Sequence, residues 1–306
     1  MLKKYFLLLA VGALWGSQFI FMSAAIDGLP PVWVGTIRAT AGFLTLWMAC
    51  RMLGIKGTQG RWLDYSLVGV LEATIPFVLV AWGQQFLDTA VASILMGTIP
   101  FFTIILSPVM VRGAKITFAG LCSVVMGFVG LIVLFYPELA SGSESTNMLG
   151  AVAIVVAACS FAMALLMLKR ISSAGHPLMT ARNVLGAASV QMLIVAMIMD
   201  PINTLHPTTS SLLSVLYLGV MCGGLVYCLY MILIRNAGPV FASFSNYLVP
   251  VIGVLLGATI NHEDLPSNTW IALGIILMAL ATNELLQRLS HKTDGGLVLK
   301  NKLKTI

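Results

Sequence analysis

Two charged side chains stand where apolar sequence surrounds them. Arg38 lies about seven residues into one apolar run, and Glu72 about seven residues into the next. A charge inside a membrane-length run is costly, so it marks a ligand site, a proton path or a gate. If the two runs cross in opposite senses, both charges sit near mid-height, roughly 7–8 Å apart at about 1.5 Å per residue. Arginine is long enough to bridge that gap. Arg38 and Glu72 can therefore pair, with the pair gating or Glu72 taking a proton. Alternatively, Arg38 binds the carboxylate of a solute directly, or the pair is only structural.

Uncharged polar and aromatic groups recur in the same kind of sequence. Trp15 and Gln18 occupy neighbouring turns of the first run, and Trp82 and Gln85 end the third. Tyr227 and Tyr230 share a helical face, and Asn246 and Tyr247 follow in the next run. Aromatic rings with an amide suit an amphipathic organic solute. Arg182 and Asn183 lie one turn inside a run, where the arginine can reach the interface. Trp33, Trp62 and Trp270 read as interfacial belt residues.

Two stripes of small and weakly polar residues keep one helical face each. One is Ser93, Met96, Pro100, Thr103 and Ser107; the other is Ser243, Asn246, Pro250, Gly253 and Gly257. Small residues let helices approach closely. A mid-span proline removes a hydrogen bond and frees a carbonyl one turn earlier. The stripes either line a cavity, with Pro100 and Pro250 as hinges, or serve only as packing faces. Gly12 with Gly16, and Gly253 with Gly257, have dimer-contact spacing, although packing within the chain is the preferred reading.

Other chemistries lack their residues. There is no H-E-x-x-H pattern, no G-x-S-x-G elbow and no Walker A loop, so no metal or cofactor is expected. The histidines, His176, His206, His262 and His291, are scattered. The cysteines, Cys50, Cys122, Cys159, Cys222 and Cys228, lie in or beside apolar runs and read as small buried residues. An enzyme is not expected.

The elements that must hold these residues are membrane helices. The chain has 306 residues, of which 59% are hydrophobic and 9% charged. A bilayer core of about 30 Å takes about 20 apolar residues per helix. Ten such runs are expected, near 5–25, 31–51, 65–83, 90–111, 117–136, 148–168, 178–199, 212–234, 240–260 and 269–286. The first could pass for a signal peptide, but it continues to about residue 25.

Of 17 Lys and Arg, all but Arg38 and Arg182 fall in one alternating set of connections that includes both termini. The other set carries Asp27, Asp88, Glu138, Glu144, Asp200, Glu263 and Asp264. This asymmetry puts both termini in the cytoplasm. It also accounts for the net charge of +6 without a nucleic-acid partner. The stretch 287–306 is a basic cytoplasmic tail, either disordered or lying on anionic lipid.

The sequence repeats itself at an offset of 150 residues: Gly69 matches Gly219, Ala92–Ser93 matches Ala242–Ser243, and Pro100 matches Pro250. The halves are 1–140 and 141–286, joined through the polar stretch Glu138–Asn147. Five spans per half is odd, so the second copy enters from the opposite side. The expected fold is all-α and integral to the membrane, with ten helices in two inverted five-helix repeats. Such repeats let two similar halves exchange conformations, the arrangement of a secondary transporter.

Here the chain resembles EamA-type transporters of the drug/metabolite transporter superfamily. The resemblance rests on Ala13-Leu14-Trp15-Gly16-Ser17-Gln18-Phe19, on Pro31 with Arg38, and on the Ala-Ser and Pro pairs. Gly120, Gly127, Gly130 and Glu263-Asp264-Leu265 extend it. The family's usual Gly-Glu after the fourth span is replaced by Arg112-Gly113-Ala114-Lys115. The resemblance implies export of a small metabolite, amino-acid-like or related, from a central cavity. Expected partners are a small-molecule substrate, membrane lipid and a proton as coupling ion. A monomer is preferred to a dimer, and the inner membrane is the expected location. Uptake or exchange by the same fold, or a membrane sensor that does not transport, are the alternatives.

Overall fold

The computed structural model describes residues 2–55, 62–141, 146–171, 176–200, 205, 207–237 and 245–282. The basic tail 287–306, and Ala242 and Ser243 of the repeat, lie outside the described residues. Every regular element among the described residues is helical. In chain order these are α1 (Leu2–Ile26), α2 (Pro31–Met52), α3 (Trp62–Gly83) and α4 (Thr89–Met110). Then come α5 (Phe118–Ser141), α6 (Thr146–Ile171) and α7 (Pro177–Met199). The last are α8 (Thr209–Leu233, continuing to Ala237), α9 (Ser245–Thr259) and α10 (Ser267–Thr282).

Seven of these, α1 and α3 to α8, are long and apolar enough to cross a membrane, and α9 and α10 are shorter apolar helices. Helices satisfy their own backbone hydrogen bonds, which a lipid environment requires. Proline at the start of α2 and α7 fits the first turn, where its missing N–H costs nothing. His176 and Thr208 cap α7 and α8 through their side chains. Of the stretch 138–147, expected as a polar connection, the described residues 138–141 and 146–147 are helical. α5 carries Pro137 inside it and ends at Ser141, and α6 begins at Thr146.

The bundle buries large apolar residues inside, among them Phe19, Met22, Ile94, Leu95, Phe101, Ile154 and Ile276. Its outside is apolar too: Val109, Phe118, Ile132, Val190 and Ile198 are exposed, as lipid-facing positions would be. Glycine sets the closest approaches. A Cβ on Gly12 would lie 2.6 Å from Leu248, and one on Gly16 would lie 2.6 Å from Ile252, so α1 packs tightly on α9. These glycines thus face a helix of their own chain.

Two helices contain a widened, π-type turn. One is Val70–Thr74 in α3, and the other is Leu218–Leu225 in α8. In α3 the cause is local. Pro76 has no N–H for the carbonyl of Glu72, and its ring crowds that carbonyl. In α8 the turn contains Gly219, Gly223 and Gly224. There a Cβ on Gly219 would meet the Arg38 carbonyl at 2.8 Å, so α2 and α8 approach backbone to backbone.

Neighbouring helices take up backbone groups around the α3 turn. Ser160 donates to the Leu71 carbonyl at 2.8 Å, and the Gln191 amide donates to the Ser66 carbonyl at 3.0 Å. Turns of this kind recur at functional sites. Glu72 sits in the first of them.

Candidate functional site

Glu72 is buried at 8% exposure, and the widened turn aims it between α7 and α8. Its Oε1 accepts a hydrogen bond from the Tyr227 hydroxyl at 3.0 Å. Its Oε2 is buried and has no protein partner. A carboxylate with one satisfied and one free oxygen is poised to hold a proton or a cationic group.

A cavity of about 170 Å³ adjoins it, lined by residues that include Leu178, Thr180, Val184, Tyr227, Tyr230 and Met231. It lies toward the end of the bundle where α6 stops and α7 begins.

Tyr227 and Tyr230 are held by Trp15. The Trp15 and Tyr230 ring centres lie 5.2 Å apart with a 55° tilt. Those of Trp15 and Tyr227 lie 6.2 Å apart, edge to face at 84°. Both are favourable aromatic arrangements. Residues from α1, α3 and α8 therefore meet around one carboxylate.

Arg38 does not pair with Glu72. Its guanidinium donates to Gln18 Oε1 at 2.6 Å and lies over the Phe77 ring at 4.2 Å. Its Nε is buried without a partner. The expected ion pair is thus replaced by two separate polar contacts, Arg38 with Gln18 and Glu72 with Tyr227. Burial of an arginine on an amide and an aromatic face is consistent with its planar, weakly hydrated head.

The other expected residues stand apart from this cluster. Trp82 is 36% exposed and packs edge to face on Phe86 at 5.0 Å. Ser93 is fully buried and donates to the Ala90 carbonyl at 2.7 Å. A Cβ on Gly253 would collide with Ser93, so α4 and α9 touch there as packing faces. Asn246 is exposed, and the Tyr247 hydroxyl donates to the Leu280 carbonyl at 2.9 Å.

The two prolines differ. Pro100 follows a break in α4 at Gly97 and Thr98, whereas Pro250 lies inside continuous α9. Arg182 donates to the neighbouring Asn183 Oδ1 at 2.8 and 3.0 Å.

The opposite end of the bundle is held together by contacts not foreseen from the sequence. The Glu263 carboxylate accepts from the backbone N–H of Thr89 at 2.8 Å and of Ala90 at 2.9 Å, capping α4. The Trp33 indole donates to the Asp200 carbonyl at 2.7 Å, and the Gln84 amide donates to the Phe19 carbonyl at 3.0 Å. Desolvation, with repulsion from Glu263, pushes the Asp88 carboxyl above its ordinary range. Among the described residues, no group of His, Cys, Asp and Glu could hold a metal ion.

Relatives place this geometry in a family. The protein named as an uncharacterized inner membrane transporter, YedA, from Escherichia coli K12 is 29% identical over 276 residues, covering 89% of this chain and 88% of YedA. The uncharacterized transporter YoaV of Bacillus subtilis is 24% identical, with 91% and 94% covered. A solved crystal structure superposes with a TM-score of 0.68 at 18% identity, covering 94% of this chain and 98% of that one. That likeness shows a shared fold. The model of the EamA-like transporter family matches twice, at residues 2–136 and 148–283. The chain therefore belongs to the EamA-like transporter family.

Proposed function

We propose that the protein is a secondary active transporter that exports a small amphipathic organic solute across the inner membrane by alternating access. The observation that carries this reading is Glu72: a buried carboxylate with one free oxygen, in a widened turn beside a cavity. Structural carboxylates inside membranes are normally fully partnered. This one keeps an acceptor available for cargo or a proton.

Ten spans in two inverted five-helix halves is the architecture this mechanism needs. The family model's two matches support it, as do the widened turns about 150 residues apart. If the Lys- and Arg-rich connections are cytoplasmic, both termini are too, and the Glu72 cavity lies toward the cytoplasm. The Glu263, Trp33 and Gln84 contacts then seal the outer side, and the conformation is the inward-facing one.

Trp15, Tyr227 and Tyr230 form the solute's aromatic wall. Arg38 with Gln18 forms a second polar station alongside. The break before Pro100 is a hinge for α4. A proton taken up by Glu72 drives the return step.

Counterflow in proteoliposomes tests this reading. Vesicles preloaded with an unlabelled solute, chosen by thermal shift from amino acids, nucleosides and amines, should accumulate the labelled solute transiently. Glu72→Gln vesicles should not. Accumulation equal to that of protein-free vesicles for every stabilising solute would refute transport.

A further inference from the structure

We propose that the Glu72 cavity selects solutes that present an ammonium group on a small apolar body, and discriminates against carboxylates. This rests on the cavity being the solute site, as argued above.

The lining carries the inference. Among the described residues it includes Glu72, Thr180, Val184, Tyr227, Tyr230 and Met231. Among the described residues that line the cavity, Glu72 is the one carboxyl, and no lysine, arginine or histidine joins it. The buried cation Arg38 is engaged by Gln18 and the Phe77 ring and is not among the described lining residues.

An entering carboxylate would lose its water and meet a like charge. An entering ammonium would find Oε2, the buried carboxylate oxygen that lacks a partner. Charge-assisted hydrogen bonds of that type are the strong ones. Tyr227 cannot compete for Oε2, because its hydroxyl is spent on Oε1.

Tyr227 and Tyr230 present aromatic surface to the same space, and aromatic faces attract cations. Trp15 holds both rings in place. The remaining described walls are Thr180 with leucine, valine, alanine, proline and methionine, which accept an apolar body and supply no second charge. The cavity volume is about 170 Å³, so the probes of choice carry a small body.

The test is calorimetric titration of the purified full-length protein in detergent with matched probes: 2-phenylethylamine, phenylalanine and 3-phenylpropionate, then hexylamine and hexanoate. The expected result is binding of the amines at least about tenfold tighter than the matching carboxylates. Phenylalanine should bind no better than 2-phenylethylamine, because its added carboxylate finds no cation. Glu72→Gln should abolish amine binding. If that variant does not fold, the probe series on the unaltered protein still decides.

Tighter binding of either carboxylate, tenfold tighter binding of phenylalanine than of its amine, or no binding of any amine overturns the inference. Amine binding without counterflow would refute the transport reading and leave this one standing. Counterflow of carboxylate solutes alone would do the reverse.

Discussion

The Tyr227 hydroxyl donates to Glu72 Oε1 at 3.0 Å, joining α8 to the widened turn of α3. The bond links two residues 155 positions apart and leaves Oε2 free. It fixes the carboxylate's orientation.

Tyr227→Phe keeps the ring against Trp15 and removes only that bond. A hydrogen bond to a charged group contributes about 1.5–3 kcal/mol. Solute affinity should fall about tenfold or more, and the folded state should lose about 1.5–3 kcal/mol, because buried Glu72 loses its protein partner. Solute titration beside a melting curve separates the two. An unchanged affinity would mean that the bond does not position Glu72 for cargo.

Gln18 supplies the hydrogen-bond acceptor for buried Arg38. Gln18→Ala should lower stability by about 1–3 kcal/mol, the usual cost of leaving a buried polar group without its partner. Gln18→Glu keeps an acceptor facing the guanidinium and should recover most of the loss. Thermal unfolding of the two variants checks this. Equal stability of Gln18→Ala and the parent would show that Arg38 does not depend on Gln18.

Glu263 reaches from the segment between α9 and α10 to the first turn of α4. Helix caps contribute about 0.5–2 kcal/mol. Glu263→Ala should lower stability by that order and raise labelling of a cysteine placed at Phe21. Glu263→Gln retains one acceptor oxygen and should show a smaller effect. Gly257→Ala should mimic Glu263→Ala, because a Cβ there collides with the Glu263 carboxylate.

Asp88 stands beside that cap, with its carboxyl pushed up by desolvation first and by Glu263 second. A raised acid favours the protonated folded form, so its ionisation weakens folding as pH rises through the raised range. Asp88→Asn should therefore melt slightly higher than the parent at neutral pH. The difference should shrink as pH falls through that range. A constant difference across pH would exclude Asp88 as the source.

The sequence made the two intramembrane charges legible, because Arg38 and Glu72 interrupt otherwise apolar runs. It did not give their partners. Pairing by height and charge pointed to an ion pair, whereas side-chain direction sent Arg38 to Gln18 and Phe77 and Glu72 to Tyr227.

The small-residue stripes were legible as faces, yet Ser93 at the start of the first and Gly253 late in the second are taken up by α4–α9 packing. Pro100 and Pro250 align in sequence but differ in effect, since Gly97 precedes only the first. The Glu263 cap could not be read from local pattern, because it joins residues more than 170 positions apart. The widened turn at Glu72 left a trace in Pro76, four residues on, that hydropathy alone does not register.

Counterflow through the Glu72 site tests the central claim most directly. Proteoliposomes holding the parent protein and preloaded with an unlabelled amine should concentrate the labelled amine transiently above its equilibrium level. Vesicles with Glu72→Gln, shown folded by an unchanged melting curve, should follow protein-free vesicles. Equal overshoot from the parent and from folded Glu72→Gln would contradict the assignment of Glu72 as the site of transport.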